Sequence, residues 1–220
     1  MKLNEMIDHT KLGPTVSKKD IEKLVSEAIE YDFKSVCVSP LWVAYAAKLL
    51  KDKKPLVCTV VGFPHGTHTK EVKAYETKDA ILNGADEIDM VVNVSAVKAQ
   101  DEKAVFEDIK AVVDAANGKT VKVIIETAYL TKEEIVLVCK QALKAKANFV
   151  KTSTGYAASG ANKDDVKLMK ETVKDALEVK ASGGVRSFED AMIMINAGAT
   201  RIGTSNGIAL INHEEAKEGY

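Results

Sequence analysis

The feature that most constrains this chain is a repeat of pattern rather than of letters. Short β-branched runs alternate with longer amphipathic stretches from one end to the other. Eight runs read as strands: MIDHT (6–10), KSVCVS (34–39), LVCTVVG (56–62), DEIDMVV (86–92), VKVIIET (121–127), NFVKTST (148–154), EVKASGG (178–184) and TRIGTS (200–205). A strand, helix, strand unit of roughly 30 residues is a βαβ crossover, and successive crossovers build a parallel sheet. Eight of them favour a closed (β/α)₈ TIM barrel over a doubly wound open sheet, which would place a GxGxxG after its first strand. No such motif follows either of the first two strands. The expected class is α/β, a single barrel domain over residues 1–210. The polar INHEEAKEGY, 211–220, is read as a flexible C-terminal tail.

The intervening stretches carry helix-start signals. Ser17 precedes Asp20, Thr131 precedes Glu134, Ser187 precedes Asp190 and Asn162 precedes Asp165, each an acceptor side chain three residues before an acid. After Ser17, residues Ile21, Leu24, Val25, Ala28 and Ile29 repeat at helical spacing and predict one apolar face. Composition narrows the function class. With 31 Lys plus Arg against 32 Asp plus Glu the net charge is −1, which argues against non-specific nucleic-acid binding. Cys37, Cys58 and Cys139 are odd in number and form no CxxC, so neither a disulfide framework nor a structural zinc site is expected. With charge in its first ten residues and no apolar run of membrane length, the chain is expected to be soluble and cytoplasmic.

In a barrel, reactive groups gather at the C-terminal ends of the strands. Strand alternation puts Glu87, Asp89 and Val91 on one face and Ile88, Met90 and Val92 on the other, and it opposes Lys151 to Val150 and Thr152. If the apolar partners pack outward on helices, Asp89 and Lys151 point inward, and Lys180, between Val179 and Ala181, follows one strand later. A strand lysine is ordinarily a solvated edge residue, but a closed barrel has no edge. An interior lysine needs a carboxylate partner or must lose its proton, and a neutral amine can attack a carbonyl to form a Schiff base.

A second constellation is glycine-rich: Gly183-Gly184-Val185-Arg186 and Gly203-Thr204-Ser205-Asn206-Gly207 follow the last two strands, where barrel enzymes often hold phosphate. Ser153-Thr154-Gly155 can close the same pocket from the sixth strand. His65 and His68 in GFPHGTH lack a third ligand nearby and are not expected to bind metal. His9 reads as a satisfied core or rim residue, Met169 and Phe106 as core, and Cys37 as a buried apolar position at the pocket wall.

The strings VGFPHG, EVKAYETKDAILNGADEIDMVVNV, NFVKTSTG, VKASGGVRSFEDA and GATRIGTS together resemble the deoxyribose-phosphate aldolase family of class I aldolases over about residues 7–209. The resemblance implies that Lys151 forms the Schiff base with Asp89 and Lys180 as proton-relay partners, Lys180 also favouring a neutral Lys151 by like-charge repulsion. It implies a phosphate site at Gly155, Gly183, Gly184, Gly203 and Ser205, with Arg186 and Asn206 alongside. Cys37, Thr152 and Tyr220 become accessory positions, with Tyr220 either the end of a tail that can reach the site or a terminus with no role in it. No metal or organic cofactor is implied, and the partners expected are small phosphosugars and aldehydes, with the chain as a homodimer.

Tyr156, Ser159 and Asn206 depart from the family pattern, and all three lie around the phosphate pocket. Three other readings stay open at this point. They are a Schiff-base aldolase or transaldolase with a larger keto donor, a phosphosugar isomerase that forms no imine, and a non-catalytic phosphosugar-binding barrel.

Overall fold

A computed structural model describes residues 2–214. The strands are β1 (Ile7–Lys11), β2 (Ser35–Val38), β3 (Leu56–Val61), β4 (Glu87–Val91), β5 (Thr120–Ile124), β6 (Phe149–Lys151), β7 (Glu178–Ser182) and β8 (Arg201–Thr204). They pair in parallel in chain order, and Ile7, Asp8 and His9 of β1 register with Ile202, Gly203 and Thr204 of β8 to close the barrel. Between the strands lie α1 (Lys18–Glu30), α2 (Val43–Leu49), α3 (Lys70–Leu82), α4 (Val94–Lys98), α5 (Glu102–Ala115), α6 (Lys132–Ala145), α7 (Lys163–Val173) and α8 (Phe188–Asn196), and α9 (Gly207–Ile211) follows β8. The predicted TIM barrel is therefore the observed architecture, strand for strand.

The predicted helix starts are real caps. Ser17, Thr131 and Ser187 each form a reciprocal capping box with the acid three residues on, and the Asn162 side chain accepts from the Asp164 and Asp165 amides. Each satisfies amides that the first helical turn leaves without partners. On α1, Ile21, Leu24, Val25 and Ala28 are buried, whereas Ile29 is 37% exposed and lies off the apolar face. The residue 210 boundary falls one residue inside α9, and the His213 ring packs 3.9 Å from that of Phe188. Met169 is fully buried in the core and Phe106 packs at its margin, as expected.

The outward strand residues build the core. Ile7, Val36, Ile88, Met90, Val123, Val150, Val179 and Ile202 join the buried residues of the helices in one apolar cluster. Helix α3 departs from this scheme by burying Lys73, Thr77 and Ala80 while exposing Val72, Tyr75 and Leu82. Lys73 Nζ donates to both Asp108 oxygens at 2.8 Å and to the Val91 carbonyl at 2.9 Å, and Asp108 accepts from the Asn93 amide. This buried pair straps α3 and α5 to the end of β4, two residues beyond Asp89.

Candidate active site

The inward face of the strands carries an ionic layer, and the site begins with it. Parallel register sets Lys151 beside Lys180 and Asp89 beside Lys122. Asp89 is fully buried and accepts from three ammonium groups at 2.8 Å: Lys122 at Oδ1, and Lys151 and Lys180 at Oδ2. Lys180 also lies 2.5 Å from Asp8 Oδ2, while Asp8 Oδ1 accepts from Arg201 and from the Ser35 hydroxyl, both at 2.7 Å. Glu87 is 2.6 Å from Lys122 and receives two bonds from the Arg201 guanidinium at 2.9 and 3.3 Å. Among the described residues this network joins three carboxylates (Asp8, Glu87, Asp89) to four cations (Lys122, Lys151, Lys180, Arg201).

Burial acts against every charge in this layer, and the charges overcome it together. Burial pushes the Asp89 carboxyl up, but Lys122, Lys151 and Lys180 outweigh it and hold the group well below the carboxylate range. Asp8 is held down likewise, against burial, by Lys180, Lys122 and Arg201. Burial pulls Lys180 down, and Asp8 and Asp89 more than restore it, so its ammonium stays charged above the ordinary lysine range. Lys122 is raised in the same manner, chiefly by Asp89. Lys151 has a single carboxylate contact, shared with Lys180, and its side chain is 5% exposed where the other two lysines are at 0%.

Of the sequence-predicted residues, the structure brings Lys151, Asp89 and Lys180 into direct contact. Thr152 lies just beyond β6 and bridges to β7, donating its hydroxyl to the Ser182 carbonyl at 3.0 Å and accepting from the Ser182 amide at 3.1 Å. Cys37 is buried beside Cys58 and Val60 on the inner wall. A hydrogen bond with Cys58 holds its thiol below the usual range. His9 is buried, as expected, and its Nε2 donates to Glu27 at 2.8 Å, but its Nδ1 is buried without a partner among the described residues, so it is only half satisfied. His65 and His68 are both exposed. Tyr220 lies outside the described residues.

The glycine loops form a small concavity lined by Gly183, Gly184, Arg186, Gly203, Ser205 and Asn206. Gly183 and Gly184 take φ of 80° and 77°, and a Cβ on Gly203 would meet Lys180 Cε at 3.0 Å. The Asn206 amide is engaged by the Thr204 hydroxyl at 3.0 Å, and its side-chain amide donates to Ser205 Oγ. Cys37, Cys58 and Asp89 bring three ligand atoms within 4.8 Å of one another. The ammonium groups already on Asp89 oppose a metal cation there.

Sequence reasoning missed Asp8, Lys122, Arg201 and Glu126. The signal for the first three was present. The alternation that exposed Asp89 and Lys151 also sets Asp8 between Ile7 and His9, Lys122 between Val121 and Val123, and Arg201 next to Ile202. Glu126 follows β5 in the left-handed region, at φ 55° and ψ 68°, and no local pattern marks it.

A closed parallel barrel whose interior holds three buried lysines, beside a glycine-lined concavity on the loops after its last two strands, defines a class: (β/α)₈ barrel enzymes. The family model for DeoC/LacD family aldolases matches residues 4–213, and the chain belongs to that family. It is 62% identical over 214 residues to the deoxyribose-phosphate aldolase of Acholeplasma laidlawii, covering 97% of this chain and 96% of the relative. It is 56% identical to that of Streptococcus sanguinis over the whole of both chains. The solved deoxyribose-phosphate aldolase of Aeropyrum pernix, described as a tetramer, superposes with a TM-score of 0.90 at 33% identity over 96% of this chain and 89% of that one.

Proposed function

We propose that this chain is a class I deoxyribose-phosphate aldolase that reversibly cleaves 2-deoxy-D-ribose 5-phosphate to D-glyceraldehyde 3-phosphate and acetaldehyde. The observation that carries the reading is the charge count of the barrel interior. Loss of the Lys151 proton leaves three cations against three carboxylates among the described residues, and Lys151 is the lysine with the fewest acid contacts. The neutral amine adds to the open-chain aldehyde carbon, and loss of water gives a protonated imine. Deprotonation of the C3 hydroxyl then breaks the C2–C3 bond: C3 leaves as the aldehyde carbon of D-glyceraldehyde 3-phosphate, and the electron pair of that bond passes into the C1 imine as an enamine. Protonation of the enamine and hydrolysis release acetaldehyde and return the amine.

Asp89 would relay those protons, a role supported by its contacts with Lys151 and Lys180 at 2.8 Å. Gly155, Gly183, Gly184, Gly203, Ser205, Asn206 and Arg186 would hold the phosphate, with no metal or organic cofactor in any step. Incubation with 2-deoxyribose 5-phosphate and sodium borohydride, read by intact mass and peptide mapping, should leave a stable adduct on Lys151. A folded, substrate-binding protein without an adduct would refute the imine route. Lys180→Leu removes the neighbouring fixed charge and should move the acid limb of the rate profile to higher pH.

The barrel domain spans 1–210 with 211–220 as its tail in this reading. Buried, unpaired Cys37, Cys58 and Cys139 suit a reducing cytoplasm, and no described helix is long and apolar enough to cross a membrane. Exposed Val72, Tyr75 and Leu82 on α3 support a homodimer, which light scattering would test.

A further inference from the structure

Glu126 takes no part in the chemistry above, yet it is one of the most constrained residues at the barrel mouth. Its backbone is left-handed, a conformation that non-glycine residues hold only when the surroundings impose it. Its side chain is buried, at 2% exposure. Burial pushes its carboxyl up, against the hydrogen bonds of Thr154 and the more distant charge of Lys151. Among the described residues the hydrogen-bond partners of its carboxylate all come from Thr154. The Thr154 amide donates to the two carboxylate oxygens at 3.4 and 3.3 Å, and the Thr154 hydroxyl donates to Oε2.

The chain of contacts continues into the glycine cradle. The Thr154 hydroxyl accepts from the Tyr156 amide at 3.1 Å, so Gly155, at φ 89°, is held from both sides. Across the cradle, Gly155 Cα lies 3.5 Å from where a Cβ on Gly183 would stand. The residue after Glu126 is tied to the same segment, since the Thr127 amide donates to the Thr152 carbonyl at 3.0 Å. A buried carboxylate is a costly brace for a loop, because its desolvation must be offset by the bonds it accepts. A strained backbone and a desolvated acid spent on one threonine indicate that the geometry of this turn is the thing being held.

We propose that Glu126 is a positioning residue for the phosphate end of the substrate: by capturing the amide and hydroxyl of Thr154 it fixes Gly155 against Gly183 and so sets the width of the cradle. The inference rests on the phosphosugar reading above and deepens it. Glu126 acts through Thr154 and does not touch the reacting carbon. The tests are steady-state rates of Glu126→Ala and Glu126→Gln with 2-deoxyribose 5-phosphate and with unphosphorylated 2-deoxyribose.

Glu126→Ala should raise KM for the phosphorylated sugar about tenfold, with kcat within about twofold, and should lower the preference for the phosphorylated sugar by a similar factor. Glu126→Gln keeps an acceptor for Thr154 and should recover most of that preference. Equal losses on the two sugars, or a loss confined to kcat, would overturn the assignment. If Glu126→Ala does not fold, Thr154→Val removes the hydroxyl link alone, and it too must raise KM selectively for the phosphorylated sugar. Borohydride trapping on Lys151 of the unaltered protein with 2-deoxyribose 5-phosphate separates the two claims. No adduct sinks the aldolase reading, whereas an adduct together with an unchanged phosphate preference in the variants sinks the role of Glu126.

Discussion

The two faces of the same eight strands follow opposite rules. Outward, Ile88, Met90, Val123, Val150 and Val179 meet the helices in an apolar cluster whose stability comes from area removed from water. Inward, one residue away in each strand, Glu87, Asp89, Lys122, Lys151 and Lys180 are equally buried and ionic. Barrel interiors are usually packed with branched apolar side chains. Here charge replaces them, at a desolvation cost that only dense pairing offsets. The comparison teaches that the outer face holds the fold while the inner face holds a densely paired set of charges, four cations against three carboxylates among the described residues.

Four experiments break or sharpen that contrast. The largest effect is expected from Lys151→Ala, which should abolish turnover and the borohydride adduct, while circular dichroism stays native; residual activity at a tenth of wild type would contradict the assigned nucleophile. Next is Asp89→Asn, which should lower kcat by roughly 10²–10⁴-fold. The loss comes from slow proton transfer, so a normal rate in stopped-flow assays would exclude Asp89 as the relay.

On the outer face, Ile88→Ala should lower stability by about 2–5 kcal/mol through the cavity it leaves, with kcat per folded molecule unchanged. Urea denaturation alongside active-site titration checks both halves of that statement.

The smallest and most diagnostic effect is the pH dependence of melting. Asp8 and Asp89 are held below their unfolded values, so their stabilisation is present above about pH 4 and is lost as pH falls through the depressed native values. Lys122 and Lys180 are held above theirs, so their share is complete below about pH 10 and is lost as pH rises through the elevated values. Tm should be flat between those limits. Asp8→Asn should lose stability on the plateau and flatten the acid limb, and an unaltered acid limb would show that Asp8 does not contribute to it.

Much of this was legible from one strand at a time. The eight β-branched runs, the three capping boxes and the inward placement of Asp89 and Lys151 all follow from periods of 2.0 and 3.6, which local sequence carries. The same arithmetic on β1, β5 and β8 would have placed Asp8, Lys122 and Arg201 inside as well. Ile29 shows the limit on the helical side, for its spacing is right but the width of the face is set by how closely α1 lies on the sheet.

What the sequence by itself determined is the order of elements, their caps and the side of each strand on which a residue stands, because those depend on neighbours a few positions away. Only the tertiary structure decided that Asp89 meets three ammonium groups, that Asp8 from the first strand joins Lys180 from the seventh, and that Glu126 braces Thr154. Those contacts join residues 28 to 172 positions apart, and their energies depend on closure of the barrel, which removes water and brings the charges within bonding distance.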